Sequence, residues 1–253
     1  SSAAVNASDD KTWGKTWGTC GIRILLCWKD RTIGIEEAAR HRPMRIRRLA
    51  LSNGCRHNPF AMASPKRTGS AKRAAVRKPG RHSVLVTGAS GGIGRAICRA
   101  FAAAGWYVGV HYHRQKAEAE KTLRAVRVTG GSGGLYQADV REAESVRQMI
   151  EEFSLRAPPP AAFICNAGIA ASSLVLLQQE DEWMSVIQTN LTGTFHCLQA
   201  MAPPLMIQGG GSIVVIGSHA GSHGSTGQAA YAASKAGLIG LVKTVAQEWG
   251  PQN

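Results

Sequence analysis

The 253-residue sequence lacks the patterns that mark several classes of protein. It has six cysteines but no Cys-x-x-Cys pair, and no group of histidines and cysteines has the spacing of a zinc site. We interpret these cysteines as buried, reduced thiols of a cytoplasmic protein. No run reaches the ~18 apolar residues of a membrane span. The absences predict a protein without a metal and without a membrane partner.

Acidic residues are missing from a long stretch between Glu37 and Glu118. The net charge of +14 would suit a nucleic-acid-binding protein if it were spread over the whole chain. Residues 1–82, here called the leader, hold 18 Lys and Arg against 5 Asp and Glu, whereas residues 83–253 hold 12 against 11. The charge belongs to the leader, so we expect the rest of the chain to bind no nucleic acid.

The leader shows no sustained hydrophobic period, and we predict that it is disordered. Met62 opens Met-Ala-Ser-Pro-Lys-Arg, which favours a natural start at Met62 and upstream residues without an evolved function. Two alternatives remain open, an organelle transit peptide and a basic arm that binds nucleic acid or anionic lipid. The short apolar run at residues 21–28 is interrupted by Arg23, so it makes a poor signal-peptide core.

From residue 83 onward, short β-branched runs alternate with helical stretches, which predicts βαβ units around a parallel sheet. The predicted fold class is α/β, a Rossmann-like doubly wound sheet in three αβα layers. Right-handed crossovers would place the carboxyl ends of all strands on one edge, where a cofactor binds. The predicted strands cover residues 83–87, 107–112, 134–137, 161–165 and 212–216. The predicted helices lie near residues 93–104, 115–128, 141–155, 178–206 and 228–249.

The first of these strands runs into Thr-Gly-Ala-Ser-Gly-Gly-Ile-Gly, residues 87–94, and then into a helix. Gly88 allows the sharp turn, Gly92 permits the close approach of a pyrophosphate, and Gly94 lets the helix pack against the strand. The amides at the start of the helix favour a phosphate. In the first βα unit of a sheet, this turn predicts a dinucleotide site.

The second strand ends in Val-His-Tyr-His-Arg-Gln, residues 110–115, without the carboxylate that would bind the ribose hydroxyls of NAD. Tyr112 stands about where that carboxylate is expected, and Arg114 follows it. An arginine without a carboxylate suits a 2′-phosphate, so we favour NADP(H) over NAD(H); the alternative is that Arg114 merely begins a solvated helix. After the third strand, Asp139 is expected to accept a hydrogen bond from the adenine amino group, to cap the next helix, or to do both.

Tyr231 and Lys235 are four residues apart, so they project from the same face of a helix. An ammonium beside a phenol favours the phenolate by Coulomb attraction. Such a tyrosine can exchange a proton with a bound oxygen, which is the chemistry that interconverts a carbonyl and an alcohol. Ser218 lies thirteen positions before the tyrosine. Because Tyr-x-x-x-Lys also occurs in ordinary helices, its weight comes from the other motifs of the chain.

Together these motifs resemble the short-chain dehydrogenase/reductase family in its classical branch. The likeness spans about residues 81–253, and the subgroup to which the chain is most similar is the bacterial 3-oxoacyl-[acyl-carrier-protein] reductases. Besides the glycine-rich turn, the likeness depends on elements that stand in the family's order, namely Asp139, Asn166-Ala167-Gly168, Asn190, Ser218, Tyr231 and Lys235.

The resemblance implies a reductase of a carbonyl, such as the 3-oxo group of an acyl thioester in fatty acid biosynthesis. It implies that Tyr231 protonates the carbonyl oxygen, and that Lys235 favours the ionised tyrosine and binds the nicotinamide ribose. Ser218 would hold the substrate oxygen, and Asn190 would anchor a water in a proton relay. The implied cofactor contacts are Gly88, Ser90, Gly92, Ile93, Gly94, Arg114, Asp139, Val140, Asn166, Ala167, Gly168, Tyr231 and Lys235. The implied partners are a small or acyl-carrier-protein-bound carbonyl substrate and further copies of the chain, in a homodimer or homotetramer.

Two features depart from the family's pattern. Cys165 precedes Asn166 where the family often has two asparagines, which is a mild change. The chain stops at Asn253, and the resemblance implies an incomplete fragment with an open edge at the last strand, poorly stable and weakly active or inactive. Another ketone reductase or alcohol dehydrogenase of the family, or an inactive dinucleotide-binding fragment, therefore remain as alternatives. His219 and His223, next to Ser218, either line the substrate pocket or have no fixed task.

Overall fold

The structure, a computed structural model, describes residues 22–27, as a strand, and residues 82–249. The strands in this part of the chain are β1 (Ile22–Cys27), β2 (Ser83–Val86), β3 (Tyr107–Tyr112), β4 (Ser132–Gln137), β5 (Pro160–Cys165) and β6 (Gly211–Ile216). They form one parallel sheet in the order β1-β6-β5-β2-β3-β4.

Helices connect β2 to β6 in chain order and cover both faces of the sheet, which confirms the predicted α/β fold class. The α-helices are α1 (Gly92–Ala103), α2 (Lys116–Val128), α3 (Ala143–Arg156), α4 (Glu180–Ile187), α5 (Gly193–Ile207), α6 (Ala220–His223) and α7 (Ala229–Trp249). A 3₁₀ helix spans Val175–Leu177, and a π-helix spans Gln188–Thr192. The predicted ends agree with the observed ends within two residues for strands β2 to β6 and for helices α1, α2, α3 and α7.

Both faces of the sheet are buried, because alternate residues of each central strand enter two separate cores. In β2, Val84 and Val86 pack with side chains of α1 and α2, such as Phe101. Leu85 points to the opposite face and packs with side chains of α3 and α5, among them Phe153. This two-sided burial explains why the strands read as short apolar runs and not as alternating ones.

The predicted helix at 178–206 is divided into α4, a π-helical turn and α5. The π-helix contains Asn190, which is fully buried. Periodicity did not reveal the division because the residues through the turn keep helical dihedral angles, such as φ −62° and ψ −41° at Gln188. Such turns are rare and often mark functional sites.

The leader contributes β1, which the sequence analysis did not predict. Its six residues pair in parallel with β6, from Ile22 opposite Gly211 to Cys27 opposite Ile216. A run of aliphatic residues suits an edge strand, and one arginine is tolerated at an edge. The expectation of an open edge on β6 is therefore wrong, and the expected disorder of the leader is corrected for these six residues. The rest of the leader, with the suggested start at Met62, lies outside the described residues.

Cys98, Cys165 and Cys197 are buried free thiols, as the sequence analysis expected. Burial raises the pKa of Cys98 and of Cys197 to about 12, so both thiols stay protonated. Among the described residues, no helix combines the length and the apolar character needed to cross a bilayer. The same part of the chain brings together no three His, Cys, Asp or Glu side chains that could hold a metal ion.

Candidate active site

The glycine-rich turn follows β2 at the edge where the parallel strands end. Gly88 has a φ of +63°, and a Cβ there would lie 2.9 Å from the Cα of Ala167. A Cβ on Gly94 would lie 2.5 Å from the carbonyl oxygen of Gly88, so both positions require glycine. A Cβ on Gly92 would meet nothing within 4 Å. The protein therefore leaves open space beside the first amides of α1, which have no acceptor within the helix.

Thr87 and Asn166 fasten this turn to the end of β5. The side-chain amide of Asn166 donates to the carbonyl oxygens of Thr87 and Gly88, at 2.9 and 3.1 Å. In return, Thr87 Oγ1 accepts the backbone amides of Asn166 and Ala167, at 2.9 and 3.0 Å. Asn166, which was predicted as a cofactor contact, also holds the turn in place through its side chain.

The ends of β3 and β4 carry the residues predicted for the adenosine half of the cofactor. Arg114 is exposed, and the next carboxylate along the chain, Glu118, binds Arg95 and Lys121. Asp139 lies in the turn after β4, and its two carboxylate oxygens accept hydrogen bonds from Arg141. These bonds to the Arg141 side chain are the largest of the effects that lower the pKa of Asp139 to about 2.

The alternative role of Asp139, as a cap of the next helix, is not observed. The N-cap of α3 is Glu142, whereas Asp139 Oδ1 accepts the backbone amide of Arg141 at 3.0 Å, within the turn before the helix. A carboxylate that bonds the amide two residues on forms a local turn, which competes with capping. Val140 is buried, and its side chain packs where Gly193 leaves room for it.

Three other predicted cofactor contacts stand at the open side of the turn or beyond β5. Ser90 is half-buried, and its carbonyl oxygen accepts a hydrogen bond from Arg95. Ile93 exposes 52% of its surface at the start of α1. Gly168 is exposed, and a Cβ there would lie 3.1 Å from Asn190 Oδ1 and 3.9 Å from Lys235 Nζ.

Lys235 is a buried cation with 6% of its surface exposed. Its Nζ donates to the carbonyl oxygen of Ile216, at the end of β6, at 2.7 Å. The same atom lies 5.7 Å from the ring centroid of Tyr231, so the two side chains share one side of α7 as predicted. A buried ammonium that bonds a carbonyl and no carboxylate is expensive, and such groups occur mainly at functional sites.

Burial lowers the pKa of Lys235 to about 8, against a smaller opposing effect of Cys165. Because the folded pKa lies below the ordinary value, the ammonium costs folding free energy at and below neutral pH. The cost decreases as the pH rises from about 8 toward the ordinary pKa of 10.5. Burial of Lys235 therefore does not stabilise the fold, which favours a chemical reason for its presence.

Asn190 holds the loop after β5 against α7. Its Oδ1 accepts the amide of Ile169 at 2.8 Å, and its Nδ2 donates to the Ile169 carbonyl oxygen at 2.9 Å and to Ser234 Oγ at 3.0 Å. Ser234 Oγ in turn donates to the backbone oxygen of Tyr231 at 2.7 Å. Both amide hydrogens of Asn190 are thus used within the protein, and they fix the helical turn that carries Tyr231.

Ser218 lies two residues beyond β6, in the loop before α6. Its Oγ accepts the amide of Ala220 at 3.2 Å. A Cβ on Gly221 would lie 2.7 Å from the carbonyl carbon of Lys235, so this glycine lets the loop of Ser218 reach α7. His219 and His223 are exposed and stack on each other with ring centroids 3.9 Å apart. Ser222 Oγ hydrogen-bonds His223 Nδ1, so the contacts that the structure gives for both histidine rings lie within this short segment.

Sequence reasoning missed four residues that hold these groups together. Thr87 and Ser234 lie inside recognised motifs, but a small hydroxyl residue gives no signal of its bonding partners. Gly221 could have been suspected only from its place beside Ser218. His111 had a usable signal, since it is a polar residue within a strand whose other residues are apolar.

The residues at this edge fit a nicotinamide dinucleotide. An open helix N-terminus follows a turn in which two glycines are required sterically, and the turn is joined through Asn166 to the loop that Asn190 holds. A buried lysine one helical turn from a tyrosine lies beside the same loop. A parallel sheet with these features defines a dinucleotide-dependent oxidoreductase.

The chain belongs to the short-chain dehydrogenase family, whose sequence model matches residues 82–253. It is 40% identical over 166 residues to the 3-oxoacyl-[acyl-carrier-protein] reductase FabG of Staphylococcus epidermidis, a match that covers 66% of this chain and 68% of that protein. The 3-oxoacyl-[acyl-carrier-protein] reductase of Synechocystis sp. is 40% identical over 164 residues, covering 65% and 66% of the two chains. The family resemblance inferred from the motifs is thereby confirmed.

A similar solved structure comes from Sinorhizobium meliloti 1021 and is named as a short-chain alcohol dehydrogenase. It superposes with a TM-score of 0.64 at 32% sequence identity, over 66% of each chain. The chain therefore spans about two thirds of the length of the relatives it matches.

Proposed function

We propose that the protein reduces the 3-oxo group of an acyl thioester carried on acyl carrier protein to a hydroxyl group, with NADPH as the reductant. The observation that carries the proposal is the pair of Tyr231 and Lys235, with a costly buried ammonium held at the end of β6. The substrate class is supported by the two 40% identical 3-oxoacyl-[acyl-carrier-protein] reductases.

When bound, the cofactor supplies a hydride to the carbonyl carbon. In the proposed mechanism Ser218 Oγ hydrogen-bonds the carbonyl oxygen, and Tyr231 transfers its phenolic proton to that oxygen as negative charge develops there. The Lys235 ammonium stabilises the resulting tyrosinate electrostatically until a proton returns from solvent. Asn190 acts indirectly, because it fixes the helical turn of Tyr231 through Ser234.

The glycine-rich turn and the start of α1 would bind the pyrophosphate, where Gly92 leaves open space. The turn of Asp139 and the end of β3 would bind the adenosine half. Arg114 supports NADP(H) over NAD(H), because the nearest downstream carboxylate, Glu118, is already paired with Arg95 and Lys121. Asp139, at the end of β4, is likewise paired with Arg141, so neither of these two carboxylates offers an unpaired charge that would repel a 2′-phosphate from Arg114.

The Arg114→Glu variant is expected to bind NADPH about tenfold to a hundredfold more weakly, because a charge-assisted contact is replaced by repulsion of the 2′-phosphate. Its affinity for NADH should change much less, and the ratio of the two dissociation constants measures the effect. Arg124→Glu makes the same charge change on an exposed position of α2 and serves as the control. An equal loss for both cofactors would contradict a 2′-phosphate contact.

The function is tested by mixing the purified chain with NADPH and an acetoacetyl thioester and following the loss of NADPH absorbance. A second candidate, oxidation of a simple secondary alcohol, is favoured by the solved structure of similar fold and is tested with NADP⁺ in the reverse direction. Quenching of NADPH fluorescence without turnover of either substrate would identify a binding protein and reject both activities.

The proposed function also implies that copies of the chain assemble with each other and that the protein acts in the cytoplasm. Exposed apolar side chains lie on α4 and α5, where Trp183, Met184 and Phe195 expose 37%, 41% and 45% of their surfaces. Such a patch suits an interface between copies of the chain, so we place a homodimer or homotetramer contact there and on α7. The protein would act in the cytoplasm, on a substrate delivered by acyl carrier protein.

A further inference from the structure

His111 is a buried histidine whose two ring nitrogens bond to backbone groups at the cofactor edge of the sheet. The backbone amide of Gly88 donates to Nδ1 at 2.9 Å, and Nε2 lies 3.1 Å from the carbonyl oxygen of Ala138. Because an amide only donates and a carbonyl only accepts, Nε2 carries the ring proton. The two partners therefore require the neutral imidazole, in a single tautomer.

The main chain of His111 holds the same turn a second time. Its carbonyl oxygen accepts a hydrogen bond from the amide of Ala89 at 3.0 Å, so two successive amides of the glycine-rich turn donate to His111. On the opposite side, the backbone of Ala167 would lie within 3 Å of any Cβ on Gly88. The turn is thus clamped between β3 and the loop after β5, and the ring of His111 forms one side of the clamp.

The second ring contact reaches the other half of the cofactor edge. Ala138 directly precedes Asp139, and its amide donates to the Tyr112 carbonyl oxygen at 3.1 Å. The ring therefore links the turn beside the start of α1 to the ends of β3 and β4. Those are the parts of the site proposed for the pyrophosphate and for the adenosine half.

We propose that His111 is a positioning residue for the dinucleotide, which fixes the glycine-rich turn relative to the ends of β3 and β4 so that one ligand can contact all three. The inference depends on the proposed cofactor site. His111 itself contacts the turn and not the ligand, so its effect appears in cofactor affinity and in KM for NADPH, with little change in kcat.

The neutral ring also predicts a pH dependence. Burial lowers the pKa of His111 to about 4, and the bond to Ala138 opposes that change. The titratable groups that face the ring are His113, after β3, which when protonated lowers the pKa of His111 further, and Asp139, after β4, which raises it and is paired with Arg141. The unfolded chain binds a proton near the ordinary pKa of 6.5, so stability falls as the pH drops from about 6.5 toward 4.

Two substitutions at His111 separate the contacts from the packing. His111→Phe keeps a ring of similar size but leaves the Gly88 amide and the Ala138 carbonyl without partners. We expect about tenfold weaker NADPH binding, measured by fluorescence quenching, because the turn loses its fixed position. His111→Asn supplies an amide oxygen for the Gly88 amide and is expected to recover most of the affinity. Its unfolding temperature should also fall less than that of the wild type between about pH 6.5 and pH 5.

A matched control removes a partly buried hydrogen bond from the same sheet without touching the turn. Tyr136→Phe loses the contact of its hydroxyl with Tyr107, at 2.9 Å, and should lower the unfolding temperature while NADPH affinity stays at the wild-type value. Wild-type affinity in His111→Phe would overturn the positioning role. If His111→Phe does not fold, His111→Asn tests the role instead. Weak NADPH binding by His111→Asn, together with an unfolding temperature that falls with decreasing pH as steeply as that of the wild type, would overturn the positioning role. Failure of the wild type to bind NADPH would instead reject the proposed function.

Discussion

The Tyr231→Phe variant is expected to lose turnover by about 10²- to 10⁴-fold while it still binds NADPH. The substitution removes only the phenolic hydroxyl, which is the proposed proton donor to the substrate oxygen. The contact that holds this turn of α7 uses the backbone oxygen of Tyr231 and the Oγ of Ser234, so it survives the change. Rates of NADPH oxidation with an acetoacetyl thioester, beside dissociation constants from fluorescence quenching, check the expectation.

Tyr107→Phe is the appropriate control, because it also removes one phenolic hydroxyl but lies at the opposite end of β3 from the cofactor edge. It should keep near wild-type turnover. If Tyr231→Phe retained more than about a tenth of the wild-type rate, another group would have to donate the proton. Parallel losses of turnover and of NADPH affinity would point to a damaged cofactor site instead of a missing proton donor.

The fold could be predicted from residue 83 onward because the central strands β2, β3 and β5 are largely buried on both faces, and the crossovers from β2 to β5 are single helices of ordinary length. Burial forces apolar runs at β2, β3, β5 and β6, and close contacts of the backbone require glycine at positions 88 and 94 of the first turn. For Gly94 the required approach is a Cβ distance of 2.5 Å to the Gly88 carbonyl oxygen. Steric requirements of this kind determine the residue type, so they can be recognised in the sequence.

Contacts between residues that are far apart in the sequence cannot be recognised from residue type in this way. The bidentate bond of Arg141 to Asp139 could be suspected only after the turn between them was known, so the sequence alone favoured neither role of Asp139 over the other. The π-helix at Asn190 depends on partners at Ile169 and Ser234, which lie 21 and 44 residues away. Pairs so far apart are brought together by the fold, and sequence periodicity carries no information on them.

Proline at one of two adjacent positions of β1 is expected to destabilise the protein, and proline at the other much less. Successive amides of a strand point to opposite sides, and β1 is paired with β6 on one side. Of Ile24 and Leu25, therefore, one donates its amide to β6 and the other points away. Proline at the donating position removes a ladder bond and leaves a carbonyl of β6 unpaired, a loss of about 1–3 kcal/mol. In a protein of this size that lowers the unfolding temperature by about 2–10 °C.

The destabilisation of β1 should also lower the activity of the active site. Cys27 of β1 is paired with Ile216 of β6, and the Ile216 carbonyl oxygen holds the Lys235 ammonium. A loosened β1 frees the end of β6, so turnover should fall together with the unfolding temperature. Deletion of residues 1–30 is expected to act more strongly than either proline, since it exposes an apolar sheet edge that promotes aggregation. Scanning fluorimetry, light scattering and NADPH oxidation measure the three effects.

The two prolines are controls for each other, because they make the same substitution at adjacent positions of β1 and differ in whether the replaced amide faces β6. If both Ile24→Pro and Leu25→Pro behave like the wild type, β1 does not contribute to the stability of the sheet, and the interpretation of the upstream residues as sequence without an evolved function gains support. A loss confined to one of the two prolines instead requires a specific, one-sided backbone pairing, because a general hydrophobic contact of the segment would be weakened by both.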